Sequence, residues 1–347
     1  MKNPSNINKQ NNIRPYMACI YKIARVRKHV SVFCLSMMMI TLTCVEQASA
    51  GVETTFMYTL SNFNGPVPYE WARIRFDESS NEMYVIDPRD NNVRIFNPNG
   101  MEIYRFGDDG TLGTISDVAV KNDGNILVLS QKNMQTAIFM CNYRGELLSD
   151  VKVQNLSPDF AEFTPDTMFF RHGRLYLLNS QTMKIVVTDS EGYFENGYDI
   201  DAIIKSTLVE ADDKKKYKKN QEKEIGGFSV DVQGNMLFTI PVLFTAYVLS
   251  PDGEITGFGV SGSAPGKFAV IGGIDRDNSG NFYVADLLKS VVLVFDKNFE
   301  FQTEFGYRGL NPDNLIGPKH IALDGDGRLY VSQLRNRGIS VFQVTLY

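Results

Sequence analysis

Three side chains in the sequence could bind a metal ion. Asp87 and Asp286 each end a short apolar run, and His320 opens another, so their side chains and nearby carbonyl oxygens could converge. Oxygen ligands suit Ca²⁺ or Mg²⁺, whereas zinc needs more histidines, and no H-x-x-H or H-E-x-x-H spacing occurs. Aspartate after such a run more commonly accepts backbone hydrogen bonds in the next turn. No cofactor is therefore predicted, and a calcium or magnesium ion remains an open alternative.

The sequence contains no nucleophile motif. G-x-S-x-G is absent, and the glycine-rich stretch at 259–268 lacks the order of residues of a phosphate-binding loop. Polar residues that follow the apolar runs are instead typical of binding loops on a rigid scaffold. The candidates for contact with a partner are Arg89, Asn91, Lys132, Lys289, Arg335 and Arg337. Their cations predict a locally positive patch for an anionic or acidic partner.

The N-terminal segment has the pattern of a secretory signal peptide. Four basic residues at 22–28 precede an uncharged apolar run at 30–45, and Ala48-Ser49-Ala50 offers small residues for cleavage before Gly51. Residues 1–50 are thus predicted to be removed, with Met17 as an alternative start and an uncleaved anchor as the alternative fate. Either way the domain at 51–347 is exported, to the periplasm or beyond the cell, with no transmembrane helix after cleavage.

The charge of the remaining chain excludes several classes of partner. Residues 51–347 carry 28 basic and 39 acidic residues, a formal net charge of −11. Nucleic acid needs clustered cations, and anionic membrane surfaces repel such a chain. Protein or glycan partners remain. Cys141 is then the only cysteine, so no intrachain disulfide can form, and its apolar run predicts burial in a strand.

An internal repeat determines the predicted architecture. A turn followed by a short apolar strand occurs six times, at intervals of 43–61 residues. The central aromatic or leucine of each copy is Tyr84, Leu127, Tyr176, Leu237, Tyr283 or Tyr330. Each copy reads as four strands, the fourth often ending in Phe-Gly, with glycine, asparagine and aspartate at the bends.

Four-stranded units at this period predict an all-β fold, a six-bladed β-propeller with four-stranded antiparallel blades. The last unit has only three strands, ending with 339–346, while 53–60 is an unpaired strand ahead of the first unit. We therefore expect the N-terminal strand to close the last blade. Loops between the second and third strands of all blades then share one side, which we call the loop face.

The longest interval contains a charged insertion at about 199–224. Its first part carries Ile203, Ile204, Leu208 and Val209 and predicts a short helix with one apolar side. Its second part, ADDKKKYKKNQEKE at 211–224, is typical of a solvated loop, with docking of an acidic partner as the alternative.

Two segments resemble a known repeat. LIGPKHIALDGDGRLYVSQLRNRGISVF at 315–342 and YVIDPRDNNVRIFNPNG at 84–100 are similar to the NHL repeat, and the resemblance is weaker in units two to four. It implies a six-bladed propeller but no single activity, because this fold carries binders and enzymes. We expect a non-catalytic binding platform that engages a protein or glycan through its loop face. The alternative is a lactonase-like metal-dependent hydrolase or lyase acting in the central channel.

Overall fold

The computed structural model describes residues 51–87, 89–208, 217 and 222–346. The predicted signal peptide and most of the lysine-rich run at 211–221 lie outside the described residues. Within the described ranges, none of the helices is long and apolar enough to span a bilayer.

The chain forms six four-stranded antiparallel sheets, the blades of a propeller. Strand β1 (Val52–Thr59) comes first, and a small hairpin of β2 (Ser61–Asn62) and β3 (Gly65–Pro66) follows. Blade 1 contains β4 (Arg73–Asp77), β5 (Glu82–Asp87), β6 (Asn92–Phe96) and β7 (Glu102–Phe106). Blade 2 contains β8 (Thr114–Val120), β9 (Ile126–Lys132), β10 (Gln135–Cys141) and β11 (Leu147–Val151). Blade 3 contains β12 (Thr167–Arg171), β13 (Arg174–Asn179), β14 (Lys184–Asp189) and β15 (Phe194–Asp199).

The second half of the chain repeats the arrangement. Blade 4 contains β16 (Gly227–Val230), β17 (Met236–Ile240), β18 (Thr245–Leu249) and β19 (Ile255–Phe258). Blade 5 contains β20 (Ile271–Arg276), β21 (Phe282–Asp286), β22 (Val291–Phe295) and β23 (Phe301–Phe305). Blade 6 contains β24 (His320–Leu323), β25 (Arg328–Ser332) and β26 (Ile339–Leu346), with β1 as its outer strand. Single turns of 3₁₀ helix occur at Pro158–Phe160 and Pro241–Leu243.

The ring is closed by the N-terminal strand, as the sequence predicts. β1 pairs antiparallel with β26 from Val52–Leu346 to Thr59–Ser340, with one irregularity between Phe56 and Tyr58. The first strand of every blade contacts the first strands of both neighbours, so these six strands surround a central channel. Closure leaves no blade with a missing strand, which removes an edge prone to aberrant pairing.

The hydrophobic core lies between the blades. Buried apolar side chains of the described residues form six clusters, each shared by two adjacent blades. Between blades 5 and 6, for example, Tyr283 packs with Leu329 and Phe342. The alternating side chains of each sheet place one apolar face against each neighbour. Cys141 is fully buried at the end of β10, and burial raises the pKa of its thiol to about 11.

Phe-Gly pairs end three of the outer strands, at Phe106, Phe258 and Phe305. The glycine is required at these ends. Gly259 has a φ of +94°, and a Cβ atom there would lie 2.0 Å from the ring of Phe268. The chain can therefore turn sharply from the outer strand into the linker that leads to the next blade.

The predicted helix in the insertion is present as α1 (Ile200–Thr207). Asp199 caps it by accepting a hydrogen bond from the backbone N–H of Ala202 at 2.9 Å. Ile200 and Ile204 are buried against blades 3 and 4, and the hydroxyl of buried Tyr217 donates to Asp201. This part of the insertion is thus anchored to the propeller.

Candidate functional site

The predicted binding residues in the first two blades contact linkers of the propeller. Arg89 donates to the side-chain oxygen of Asn336 at 3.0 Å and to the carbonyl of Pro68 at 2.6 Å. Asn91 donates to the carbonyl of Gly113 and accepts from the backbone N–H of Ile115. Lys132 donates to the carbonyl of Thr111 at 2.7 Å. These side chains hold the linkers beside their loops.

The predicted residues in blades 5 and 6 follow the same pattern, with one exception. Lys289 lies 2.6 Å from Glu304 and donates to the linker carbonyls of Ala264 and Lys267. Arg337 donates to three carbonyls of the linker at 310–314. Arg335 is exposed and has no hydrogen bond or ion pair with the described residues. The loop face brings the six residues to one side, but five of them bind the chain's own linkers.

Two of the three metal candidates cap turns. Asp87 accepts a hydrogen bond from the backbone N–H of Arg89. Asp286 is fully buried and accepts from the backbone N–H groups of residues 269, 270, 288 and 289. Their carboxylates are therefore committed to backbone donors. Within the described ranges, no three His, Cys, Asp or Glu side chains are grouped so that they could hold a metal ion.

His320, the third metal candidate, begins the first strand of blade 6. Burial lowers its pKa well below the usual value, and the cations of Arg73, Lys319 and Arg75 act in the same direction. The imidazole is therefore neutral at physiological pH. Lys319 lies 4.9 Å over the ring of Trp71, and burial together with Arg73 lowers its pKa. Neighbouring cations oppose the binding of a metal ion at this end of the channel.

A buried carboxylate connects the first strands of blades 1, 2 and 3. Asp117 on β8 lies 2.9 Å from Arg73 and 2.6 Å from Arg75, both on β4. It also accepts a hydrogen bond from the backbone N–H of Met168 on β12. Arg73 donates in addition to the hydroxyl of Thr167. Alternation along β4 places Arg73 and Arg75 on the same side, while Ile74 between them is buried.

An open cavity of about 370 Å³ lies below this network, at the hairpins that join first and second strands. We call this end of the channel the hairpin mouth. Phe169 lines the cavity, and the guanidinium carbons of Arg75 and Arg171 lie 5.7 and 5.6 Å from its ring centroid. Arg171 also pairs with Glu78 at 2.9 Å. Asn122 and His172 complete the rim.

The two arginines have hydrogen-bonding capacity that the protein does not use. The Nε–H groups of Arg75 and Arg171 are buried and have no acceptor among the described residues. A buried donor without an acceptor costs about 1–3 kcal/mol. Cation–π contact with Phe169 fixes the position of both guanidinium groups. The cavity is therefore lined by two preoriented guanidinium groups, which favour a ligand with acceptor oxygens.

The other half of the hairpin mouth carries four aspartates, of which Asp231 is paired with Arg276 and Asp324 with Arg328. A small cavity that shares Glu78 and Arg171 with the first continues to Asp275 on β20. Burial raises the pKa of the Asp275 carboxyl to about 6, although its contacts with the N–H groups of Leu323 and Arg276 oppose the shift. Asp231, Asp277 and Asp324 also line this side, and each accepts hydrogen bonds from the N–H groups of its own hairpin.

The sequence-based prediction did not include the hairpin mouth. It placed binding on the loop face, whereas the cavity lies at the opposite ends of the second strands. A signal was present: charged residues occur inside predicted innermost strands, where the adjacent positions are apolar, as at Arg75, Asp117 and Arg171. Such residues are expected to lie along the channel, because the apolar space between the blades offers a charged side chain neither water nor a partner.

Comparisons with known proteins identify the fold. No family model matches the sequence, and no curated protein matches it. The chain is similar to the structure of a protein of unknown function from Bacteroides thetaiotaomicron, with a TM-score of 0.59 and 15% identity over 85% of this chain and 76% of that one. It is also similar to a streptogramin B lyase, with a TM-score of 0.55 and 12% identity over 85% and 98% of the two chains.

A third similar structure is a luciferin-regenerating enzyme, with a TM-score of 0.52 and 11% identity over 85% of this chain and 95% of that one. Identities this low carry information about the fold and none about activity. The chain is thus a six-bladed β-propeller.

Proposed function

We propose that this chain is an exported, non-catalytic propeller of the NHL-repeat type that engages a protein or glycan partner at the hairpin mouth. The observation that carries the proposal is the open cavity in which Phe169 holds two arginines with unused buried donors. Its volume of about 370 Å³ is within the usual range of ligand pockets, about 300–1,000 Å³. The rigid ring supports this site, because every wall belongs to a first strand or its hairpin.

The loop face supports binding less well. Five of its six predicted residues donate to or accept from the protein's own linkers, so a partner would have to displace those bonds. Arg335 alone among the six is without such a bond to the described residues. Contact between a partner and the loop face therefore stays a prediction, which the Arg335→Gln variant in the capture experiment tests.

Capture by the immobilised mature chain tests the proposal. Residues 51–347 are exposed to an envelope extract as wild type, as Arg171→Gln and as Arg144→Gln. Arg144 is exposed in a hairpin on the outer edge of blade 2, so its variant removes the same charge elsewhere. We expect the Arg171→Gln variant alone to lose the retained partner. Equal retention by all three would overturn binding at the hairpin mouth, and loss with Arg335→Gln would locate it on the loop face.

Export is a separate element of the proposal. The basic, apolar and small-residue segments of residues 1–50 support a cleaved signal peptide. N-terminal sequencing of the protein recovered from cells is expected to begin at Gly51. A chain that retains residues 17–50 would instead indicate an N-terminal anchor.

A metal-dependent hydrolase or lyase remains the second candidate. The position of His320 on the first strand of blade 6, beside the channel, favours it. The cations around His320 argue against it, because they repel a metal ion. Elemental analysis of the purified mature chain separates the candidates: a stoichiometric bound cation supports the enzyme.

A further inference from the structure

A second open cavity lies beside the hairpin mouth, between the hairpins of blades 3 and 4. It has a volume of about 420 Å³, and we call it the seam groove. Its apolar wall consists of side chains from both blades: Tyr176, Val187, Tyr198, Val232, Met236 and Pro251. The hydroxyl of Tyr198 donates to the carbonyl of Pro251 at 2.6 Å, which ties blade 3 to blade 4 at this wall.

The seam groove adjoins the cavity at the hairpin mouth. His172, at the tip of the hairpin that joins β12 to β13, lines both cavities. The small cavity that contains Glu78 and Arg171 also reaches Val232, which belongs to the wall of the seam groove. An elongated ligand that crosses His172 would therefore contact both cavities.

The charges along the two cavities are balanced. Among the described residues that line them, three are arginines and three are acidic: Arg75, Arg171 and Arg174 against Asp77, Glu78 and Glu195. Arg171 lies 2.9 Å from Glu78, and Arg174 lies 2.5 Å from Glu195. Behind the lining, Arg73 and Asp117 pair at 2.9 Å and cancel in turn. A charged ligand would leave water without gaining an unpaired counter-ion, so the lining favours an uncharged one.

The described aromatic side chains of the two cavities offer walls rather than open ring faces. Two guanidinium groups lie over the ring of Phe169, and Phe76 stacks on a tyrosine of blade 6. Phe170 packs against the core cluster between blades 2 and 3. In the seam groove, Tyr176 and Tyr198 are only 5% and 7% exposed. A sugar ring needs an open aromatic face for stacking, whereas an apolar side chain packs well against such walls.

Arg171 has N–H groups that a ligand can use. Its side chain is 17% exposed, and its ion pair with Glu78 is its only polar side-chain contact with the described residues. A guanidinium group has five N–H donors, and one carboxylate cannot take all of them. Because Glu78 already offsets the charge, a neutral acceptor such as a peptide carbonyl suits the remaining donors.

We propose that the partner is bound through an extended, uncharged peptide segment, with backbone carbonyl oxygens at Arg171 and an apolar side chain in the seam groove. This inference deepens the proposed function and rests on it. An extended peptide offers carbonyl oxygens and side chains in turn along its length, which matches a guanidinium group in one cavity and an apolar wall in the next. Extended peptides are commonly recognised in this way, through main-chain hydrogen bonds and a side-chain pocket.

Selection from a random heptapeptide library displayed on phage tests the inference. The library is selected on immobilised residues 51–347, and the most enriched peptide is synthesised with both ends blocked and titrated by fluorescence anisotropy. We expect the enriched peptides to be uncharged and to share an apolar residue. Arg171→Gln, in the first cavity, and Val232→Glu, in the seam groove, are each expected to weaken binding by about tenfold or more.

Each variant has a matched control at an exposed position outside both cavities. Arg144→Gln removes the same charge as Arg171→Gln, and Val260→Glu makes the same change as Val232→Glu on a linker of the loop face. Both controls should bind the peptide as tightly as wild type. The circular dichroism spectrum of each variant confirms that it folds.

Several outcomes would overturn the inference. These are enrichment of acidic or basic peptides, enrichment of none, and an effect of only one of the two cavity variants, since the peptide is proposed to contact both cavities. An uncharged oligosaccharide, cellotetraose, is titrated in parallel. If it binds with a dependence on Arg171 and no peptide does, the peptide assignment is wrong and the proposed function stands. The proposed function itself fails only if capture from the envelope extract shows no dependence on Arg171.

Discussion

Asp117 is the residue on which the channel most depends. It is fully buried and has two guanidinium groups and two backbone N–H groups as partners. Removing one member of such a network leaves the others as uncompensated buried charges, which costs far more than the pair contributes by itself.

We predict that Asp117→Ala lowers the free energy of unfolding by about 3–5 kcal/mol. The physical reason is that Arg73 and Arg75 would share a confined space with no counter-ion between them. Urea denaturation followed by tryptophan fluorescence measures the change. Asp123→Ala, at an exposed hairpin of the same blade, serves as the control, and a change below about 1 kcal/mol for Asp117→Ala would contradict the role given to this carboxylate.

Asp275 is expected to make stability depend on pH. In the unfolded chain an aspartate loses its proton near pH 4, whereas here burial raises the pKa to about 6. Folding is therefore favoured by the protonated form, and this contribution is lost as the pH rises from about 4 to 6. Asp275→Asn removes the loss, so the variant should be more stable than wild type by about 1–2 kcal/mol at pH 7.5, with a smaller gain at pH 4. An equal effect at both pH values would contradict this.

At the residue scale, the sequence predicts types of side chain better than their partners. Arg89 and Lys289 look like free cations in a loop, but each lies beside linker carbonyls that the loop-to-linker packing brings within reach. The turn-capping role of Asp286, by contrast, could be predicted, because it depends only on the chemistry of its own turn. Contacts within a turn are visible in the sequence, and contacts between turns require the fold.

At the scale of elements, strands and their ends could be predicted closely. The second strands follow the glycine or asparagine of each hairpin, as in β9 and β25, and the Phe-Gly pairs end β7, β19 and β23. The helix α1 was also predicted, from Ile203, Ile204, Leu208 and Val209, although the residues that it buries are Ile200 and Ile204. The orientation of the first strands was harder to read, because charged residues there face a channel that exists only in the assembled ring.

Deletion of 51–60 tests the role of β1. The strand pairs with β26 along its length, and Phe56 packs edge-on against Phe342 at 5.8 Å. Its loss would expose the edge of β26 and lower the free energy of unfolding by about 5 kcal/mol. We expect a lower melting temperature and concentration-dependent association in analytical ultracentrifugation. Met57→Thr, at an exposed position of the same strand, is the control, and an unchanged monomer after the deletion would contradict closure by β1.

The loops of the loop face are predicted to support stability. Serine replacing Arg89, Lys289, Arg335 and Arg337 together removes donors to the linkers and the ion pair with Glu304. We expect the free energy of unfolding to fall by about 2–4 kcal/mol. Partner capture should stay within twofold of wild type below the melting temperature. Lost capture with unchanged stability would instead identify these cations as the binding site.

At the scale of the whole molecule, the number of blades follows from six repeats and one orphan strand. Six interblade clusters and the contacts among all first strands make the ring a rigid frame. Which end of the channel binds a partner does not follow from the repeats, because both ends carry polar residues. That distinction depends on which polar side chains already bond within the protein. Most of those on the loop face do, whereas the Nε–H groups of Arg75 and Arg171 at the hairpin mouth have no acceptor among the described residues.

Site-specific photo-crosslinking in the envelope of the producing cell tests binding at the hairpin mouth most directly. A photoreactive residue is placed at Asn122, on the rim of the cavity, or at Arg335, on the loop face. Both positions are at the surface, so folding is preserved. The account predicts a crosslinked partner from position 122 and none from 335. A crosslink from 335 without one from 122 would contradict it.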